Sequence, residues 1–265
     1  VVDEGRARVV FSPNLHWTEG VDLRAQVESV WGLPVALVQE ERALALGCQA
    51  FDERDEDFLL VDFGDGVGGA VVTSGRLYAA PLPIQGELGH TPVLGNGRRC
   101  GCGATGCLET LASQGGLLQS FSEARGRPGT WPELVRWVAA HGLAPWLEEA
   151  LDATAVVIAG ALNVLGIRRV VLTGAIAELG AAVRDRLAER IRAGAMWARF
   201  GSVDCEVAPR RRNAGLGAAG IDRFVVPVSD SEQPGTGARR LRLPVGTRGP
   251  GSPTKDRLGP YPDRA

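Results

Sequence analysis

The sequence lacks several features that would have pointed to particular classes of protein. No apolar run reaches the roughly 18 residues that a helix needs to cross a bilayer, so we expect no membrane span. The formal net charge is −2 and the isoelectric point about 6.0. The chain therefore lacks the excess positive charge that would hold nucleic acid by itself. The remaining composition, 45% hydrophobic and 23% charged, is typical of a globular protein.

Both ends of the chain also lack expected features. The sequence begins Val1-Val2-Asp3, without a methionine or a signal peptide, and we expect that it enters a longer protein partway through. At the other end, Ser229–Ala265 is rich in Pro, Gly and Arg and poor in large apolar residues. Such a segment cannot bury enough surface to order itself, which predicts a disordered tail over 227–265.

Cysteine is scarce, and its distribution is uneven. Three of the five cysteines lie within eight residues, 100–107, which favours a metal site over a set of disulfides. Cys48 and Cys205 lie in apolar surroundings and are expected in the core. Cysteines kept reduced predict a cytoplasmic protein.

Strands that alternate with helices predict an α/β layered fold. The predicted strands are Val35–Val38, Phe58–Phe63, Ala70–Thr73, Arg76–Ala80, Arg169–Thr173 and Val203–Val207. The predicted helices are Gln39–Phe51, Leu108–Phe121, Trp131–Ala140, Pro145–Leu165, Ala175–Ala193 and Ala214–Phe224, with a short one within Trp17–Val35. Between them, Gly86–Gly106 shows no periodicity, so something other than a hydrophobic core must order it.

That aperiodic segment carries a metal-ligand pattern, His90-x9-Cys100-x-Cys102-x4-Cys107. Three thiolates and one imidazole complete a tetrahedral zinc shell. Four protein ligands leave no open position, so the zinc is expected to be structural and to fold the Gly-rich loop. The alternative is three free thiols beside a surface histidine.

A second pattern is the glycine turn Gly64-Asp65-Gly66-Val67-Gly68-Gly69, which satisfies G-x-G-x-x-G. A dinucleotide site would need a helix directly afterwards, whereas a β-hairpin is predicted here. A glycine turn between strands can instead bring backbone N–H groups close to a phosphate. The alternative is a tight hairpin turn with no ligand.

Polar residues flank the zinc pattern. Glu87, His90 and Glu109 bring two carboxylates and an imidazole to this segment, and carboxylates suit the paired hydrogen bonds of sugar hydroxyls. The alternative for Glu109 is a solvated acid at a helix start, where acids are favoured.

Together these motifs resemble the ROK family, which comprises sugar kinases and sugar-responsive repressors. The resemblance runs from about Val1 to Phe224, and its zinc segment is the most specific part. The matching stretches are Ser12–Leu15, Gly64–Gly69, Gly86–His90, Cys100–Gly103, Gly106–Thr110, Val171–Gly174 and Asn213–Ala219.

The resemblance implies an actin-like (ribonuclease H-like) fold of two α/β lobes. It divides the chain into a remnant of the small lobe at 1–39 and a large lobe at 40–212 with the zinc loop at 86–107. A helix at 213–226 would return to the small lobe, before the tail at 227–265.

The resemblance also implies roles for individual residues. The expected sugar-pocket residues are Asn14, Gln39, Glu87, His90 and Glu109. The expected nucleotide-site residues are Gly64, Asp65, Gly66, Gly68 and Gly69 in the phosphate-binding turn, with Gly174 on the adenosine side. The expected cofactor is structural zinc, with ATP and Mg²⁺ only for a kinase.

Two departures from the family's kinases matter. Their catalytic base is the Asp of an Asn-Asp pair before a helix, and counting back from Gly47 puts Gln39 and Glu40 at those positions. Glu40 carries its carboxylate one methylene too far, and a displacement of about 1 Å can cost ~100-fold in rate. The family's first phosphate-binding motif is expected upstream of Val1, as is the helix-turn-helix domain of the repressors.

We therefore expect a sugar-responsive transcriptional regulator that binds a sugar or sugar phosphate and reaches DNA through a missing N-terminal domain. The alternative is an ATP-dependent sugar kinase similar to glucokinase or fructokinase. A third possibility is a truncated gene product without function. A homodimer or tetramer is expected, and no membrane partner.

Overall fold

The computed structural model describes residues 1–13, 15–54, 56–80, 82 and 84–225. The sugar-pocket candidate Asn14 and the predicted tail 227–265 lie outside the described residues. Within the described part of the chain, no helix is both long and apolar enough to cross a membrane.

The centre of the fold is a mixed five-stranded sheet with the order β5-β4-β3-β6-β7. Its strands are β3 (Phe58–Phe63), β4 (Val67–Thr73), β5 (Arg76–Leu77), β6 (Arg169–Gly174) and β7 (Asp204–Val207), preceded by a small hairpin of β1 (Val2–Asp3) and β2 (Arg8–Val9). Strands β3, β4 and β5 are antiparallel neighbours, whereas β6 and β7 run parallel to β3. The α/β class expected from the sequence is therefore confirmed.

Eight α-helices are present among the described residues. They are α1 (Leu23–Trp31), α2 (Glu40–Ala50), α3 (Glu109–Ala112), α4 (Gln114–Arg125), α5 (Trp131–His141), α6 (Pro145–Leu165), α7 (Ala181–Gly194) and α8 (Arg212–Phe224). The predicted bounds of the strand Phe58–Phe63 and the helix Pro145–Leu165 match the observed ones.

Strand β3 is buried on both faces, as its unbroken apolar run predicts. Leu59, Val61 and Phe63 pack in a large core with helices α3 to α7. Phe58 and Leu60 face the opposite side, where a smaller core includes residues of α2. Helices thus cover both faces of the sheet.

Three predicted elements were wrong, each for a local reason. Residues 35–38 form no strand. The predicted helix Leu108–Phe121 breaks at Ser113, whose backbone is extended and whose hydroxyl accepts a hydrogen bond from the first turn of α4. The predicted helix Ala175–Ala193 breaks at Gly180, which has a φ of +89° and separates a 3-10 turn from α7.

Helices α2 and α8 meet through glycines. A Cβ on Gly215 would collide with the carbonyl oxygen of Ala43, and one on Gly47 would collide with that of Arg211. The two backbones therefore approach more closely than side chains at these positions would allow. This contact fixes the segment before α8 against the second half of α2, and the first turns of the two helices against each other.

Candidate functional site

The four metal-ligand candidates of the sequence come together in the structure. The ligand atoms of His90, Cys100, Cys102 and Cys107 all lie within 4.8 Å of one another. The Sγ atoms of Cys102 and Cys107 are 3.7 Å apart, and Cys100 Sγ lies 3.6 Å from His90 Nδ1. Two sulfurs about 2.3 Å from one tetrahedral zinc would be roughly 3.7 Å apart. The residues present therefore fit a Cys3His zinc shell.

Backbone hydrogen bonds hold the cysteine loop in this arrangement. The Cys100 N–H donates to the Ala104 carbonyl over 2.9 Å, and the Gly103 N–H donates to the Cys100 carbonyl over 3.0 Å. Asn96 donates its side-chain amide to the Cys107 carbonyl. The loop is thus ordered by polar contacts and by the cysteine cluster, since it contributes few side chains to either core.

The thiols of the cluster differ in acidity. Burial raises the pKa of Cys100 and of Cys107, whereas the Ala104 backbone N–H lowers the pKa of Cys102. A bound zinc ion would supply the positive charge that buried thiolates at Cys100 and Cys107 require. The donor set therefore suits a divalent cation better than three free thiols.

A chain of polar contacts runs outward from this cluster. His90 Nε2, on the ring edge away from the thiols, lies 3.6 Å from Glu87 Oε2. The other oxygen of Glu87 accepts a hydrogen bond from Gln39 Nε2 over 3.4 Å. On the far side, Cys100 Sγ lies 3.4 Å from Glu109 Oε1. The structure thus brings together four of the five sugar-pocket candidates, all except Asn14, which it does not describe.

Two glycines position Glu87 and His90. A Cβ on Gly86 would collide with the carbonyl of Gly69, and one on Gly89 would collide with that of Val67. The segment can therefore lie directly against β4, where the Gly69 N–H donates to the Gly86 carbonyl over 2.7 Å.

Gln39 ends the polar chain at the start of α2. It is 9% exposed, and its side-chain oxygen Oε1 has no hydrogen-bond partner among the described residues. A buried polar atom without a partner costs free energy unless something satisfies it. Gln39 Oε1 is thus a buried acceptor, and the residues around it would have to move before a ligand hydroxyl could reach it.

The glycine turn lies at the carboxyl edge of the sheet, where ligands bind in open α/β sheets. Gly64 follows β3, and Gly174 ends β6 next to it, with a φ of +83°. A Cβ on Gly174 would collide with the carbonyl of Phe63. Gly174 therefore permits a close approach of its backbone to that of β3. Asp65, Gly66, Gly68 and Gly69 complete the hairpin turn and the start of β4.

One arginine that no sequence motif singled out lies at this edge of the sheet. Arg210 Nη2 lies 2.7 Å from Asp62 Oδ2 and 2.9 Å from Glu40 Oε1. Asp62 is almost fully buried, and its other oxygen accepts a hydrogen bond from Thr173 over 2.6 Å. The same guanidinium nitrogen would be 3.2 Å from a Cβ on Gly64. Arg210 therefore occupies the mouth of the glycine turn.

Glu40, the candidate for the degenerate base position, is held by two arginines. Its Oε1 pairs with Arg212 as well as with Arg210. The sequence signal for this arrangement is a run of three consecutive arginines at 210–212, where the last helix begins. Their target could not be derived from spacing, because it lies 170 residues away.

The chain matches known proteins over most of its length. The model of the ROK family matches residues 1–223. The chain is 32% identical over 116 residues to a xylose repressor of Bacillus subtilis, a match that covers 43% of this chain and 30% of the repressor. It is 30% identical over 143 residues to a glucokinase of Streptomyces coelicolor, which covers 53% of this chain and 44% of the glucokinase. Each match thus spans less than half of the relative's length.

Among solved structures, the chain is similar to a ROK hexokinase from Thermus thermophilus, with 27% identity and a TM-score of 0.68. That similarity covers 81% of this chain and 72% of the hexokinase. The family match over residues 1–223 and the converging motifs lead to one conclusion. The chain belongs to the ROK family.

Proposed function

We propose that this chain is the sugar-binding part of a ROK-family transcriptional regulator, with its DNA-binding domain outside this sequence. The observation that carries the proposal is the state of Glu40. At the position that the family resemblance assigns to the catalytic base, this carboxylate pairs with Arg210 and Arg212. A general base must be free to accept a proton from the substrate, whereas this oxygen is already hydrogen-bonded to two guanidinium groups.

The position of Arg210 adds to the argument against phosphoryl transfer. Its guanidinium neutralises Asp62 and contacts Gly64 at the mouth of the glycine turn. Phosphoryl transfer depends on positioning and on charge stabilisation around the transferred group. An internal ion pair at this place would have to rearrange before a nucleotide phosphate and its Mg²⁺ could enter.

Sugar binding draws on a different set of residues. Gln39, Glu87 and His90 are linked by contacts of 3.4 and 3.6 Å, and Gln39 offers an unsatisfied oxygen. Carboxylates and amides form paired hydrogen bonds with vicinal hydroxyls. Glu109 would complete the pocket from the other side of the cysteine cluster. In this proposal zinc is structural: it holds His90 and, through it, Glu87.

The second candidate function is an ATP-dependent sugar kinase. The observation that favours it is the arrangement of Gly64 and Gly174 side by side at the carboxyl edge of the sheet, with a glucokinase among the matched relatives. ATP and Mg²⁺ would then bind at the glycine turn, and the Glu40 carboxylate would first have to separate from Arg210 and Arg212.

Calorimetric titration with hexoses, xylose and N-acetylated hexosamines tests sugar binding. We expect one saturable sugar with a micromolar to millimolar Kd, weakened about 10-fold or more by Glu87→Gln, since hydrogen bonds to a charged group are the stronger ones. Glu149→Gln, which changes an exposed glutamate of α6, is the matched control and should bind as the unchanged protein does. Failure of every sugar to bind would refute the proposal.

A further inference from the structure

Glu41, the second residue of α2, lies between the glycine turn and the proposed sugar pocket. A Cβ on Gly68 would collide with the Glu41 carboxylate, so the carboxylate rests directly on the glycine backbone. Gly68 in turn pairs with Asp62 across the β3–β4 hairpin. Glu41 and Glu40 are adjacent in sequence, but successive helical residues project about 100° apart, and their surroundings differ.

The charges around the two glutamates are opposite. Glu40 is surrounded by arginines, whereas the largest charge effects on Glu41 come from three carboxylates, those of Glu87, Glu40 and Asp62. Two of these are themselves paired with Arg210. The nearest arginine along the helix, Arg42, is engaged with Glu4 and the Tyr78 carbonyl. Among the described residues, Glu41 is therefore a carboxyl group without a counter-charge.

Burial and, to a smaller extent, the three carboxylates raise the pKa of Glu41 to about 7. A partly buried carboxyl with no cation costs stability, and such groups concentrate at sites that meet a ligand. The contact of Glu41 with Gly68 places its oxygens at the boundary between the turn and Glu87.

We propose that Glu41 contacts the ligand directly and accepts a hydrogen bond from a sugar hydroxyl at the point where the pocket meets the glycine turn. This inference rests on the proposed function and adds a residue that neither the motifs nor the family resemblance assign. A carboxylate forms charge-assisted hydrogen bonds with hydroxyl groups. The ligand class is thus a sugar with a free hydroxyl on the ring edge that faces Gly68.

The first test compares Glu41→Gln with the control Glu149→Gln, using the best-binding sugar of the panel at pH 6 and pH 8. Because the ionised carboxylate accepts the stronger hydrogen bond, the unchanged protein should bind more tightly at pH 8. Glu41→Gln should bind about 10-fold or more weakly at pH 8 and lose most of the pH dependence. Glu149→Gln should keep both the affinity and the pH profile, because Glu149 is an exposed glutamate of α6 outside the site.

The second test uses monodeoxy analogues of the same sugar, because a merely structural role would not make the effect specific to one hydroxyl. Removing one particular hydroxyl should weaken binding about 10-fold in the unchanged protein and little in Glu41→Gln, a double-mutant cycle between protein and ligand. Glu41→Asp, which withdraws the carboxylate by one methylene and keeps its charge, serves if Glu41→Gln does not fold.

The outcomes are distinguishable. If Glu41→Gln matches the unchanged protein in affinity and pH profile while Glu87→Gln loses binding, the role of Glu41 is refuted and the proposed function stands. If the unchanged protein binds none of the sugars, both are refuted. Equal losses for all deoxy analogues in both proteins would also overturn the direct contact.

Discussion

Two neighbouring glutamates at the start of α2, Glu40 and Glu41, differ in their surroundings, and this difference determines the role proposed for each. Glu40 and Glu41 are both acids of the first helical turn, where the helix dipole favours negative charge. Their surroundings nevertheless differ, because it is Glu40, of these two glutamates, with which Arg210 and Arg212 pair. One glutamate is neutralised, and the other remains available to a ligand.

The raised pKa of Glu41 makes a prediction about stability. The pKa is about 7 in the folded chain and 4.5 as its ordinary value, so the folded state holds the proton more tightly. Stability from this group is therefore lost as pH rises from about 4.5 through 7. Glu41→Gln removes that loss, so the free energy of unfolding should increase by about 1–3 kcal/mol at pH 8 and by less at pH 5.5.

Urea unfolding of Glu41→Gln and the unchanged protein at both pH values would measure this difference. The comparison at each pH cancels any effect of acid on the cysteine cluster. A Glu41→Gln effect that is identical at pH 5.5 and pH 8 would contradict the assigned environment.

At the scale of elements, the cysteine loop is the segment whose folding we expect to depend most on a bound metal. We predict about one zinc per chain, bound by His90, Cys100, Cys102 and Cys107. Cys102→Ser should release the metal and lower the Tm by roughly 10 °C or more, because structural zinc contributes folding free energy. Metal analysis of natively purified protein and thermal melts measure both effects.

Cys205→Ala is the control for the zinc prediction, since Cys205 lies outside the cluster and packs against the large core. It should leave the metal content unchanged. A native protein with negligible zinc and three freely titratable thiols in the loop would refute the site.

The crossing of α2 and α8 gives a second prediction for an element. Gly215→Ala should destabilise the fold by about 2 kcal/mol or more, because its Cβ would collide with the Ala43 carbonyl and force the helices apart. Gly217→Ala is the matched control in the same helix, since nothing lies within 4 Å of its added Cβ. It should be neutral or stabilising by up to about 1 kcal/mol.

Denaturant unfolding of the two variants measures the difference. Equal stabilities for Gly215→Ala and Gly217→Ala would show that α8 does not pack against α2 as described.

The helices and strands also show which parts of the fold could be predicted from the sequence. Strand β3 and helix α6 were predicted with their observed bounds, because apolar runs and a Pro at the helix start carry local information. The helix breaks at Ser113 and Gly180 were missed, although both are residue types that end or begin helices. The side-chain pairing of Arg210 with Glu40 and Asp62 could not be predicted, because it depends on how β3, α2 and the segment before α8 meet.

At the scale of the whole molecule, two systems of contacts share one edge of the sheet. One is the polar chain from Gln39 through Glu87 and His90 to the cysteine cluster. The other is the ion-pair cluster of Arg210 with Asp62 and Glu40. We propose that the first binds hydroxyl groups, whereas the second lies at the mouth of the turn where a kinase would place phosphate. We therefore predict that this chain binds a sugar and does not phosphorylate it.

The measurement that tests this claim most directly is ADP release with ATP, Mg²⁺ and the sugar that binds in calorimetry, on the same preparation. We expect saturable sugar binding with no sugar-dependent ADP release above background, both in the unchanged protein and in Glu40→Asp. Sugar-dependent turnover of about 1 per second or faster, in the range of ordinary enzymes, would contradict it and establish the kinase alternative.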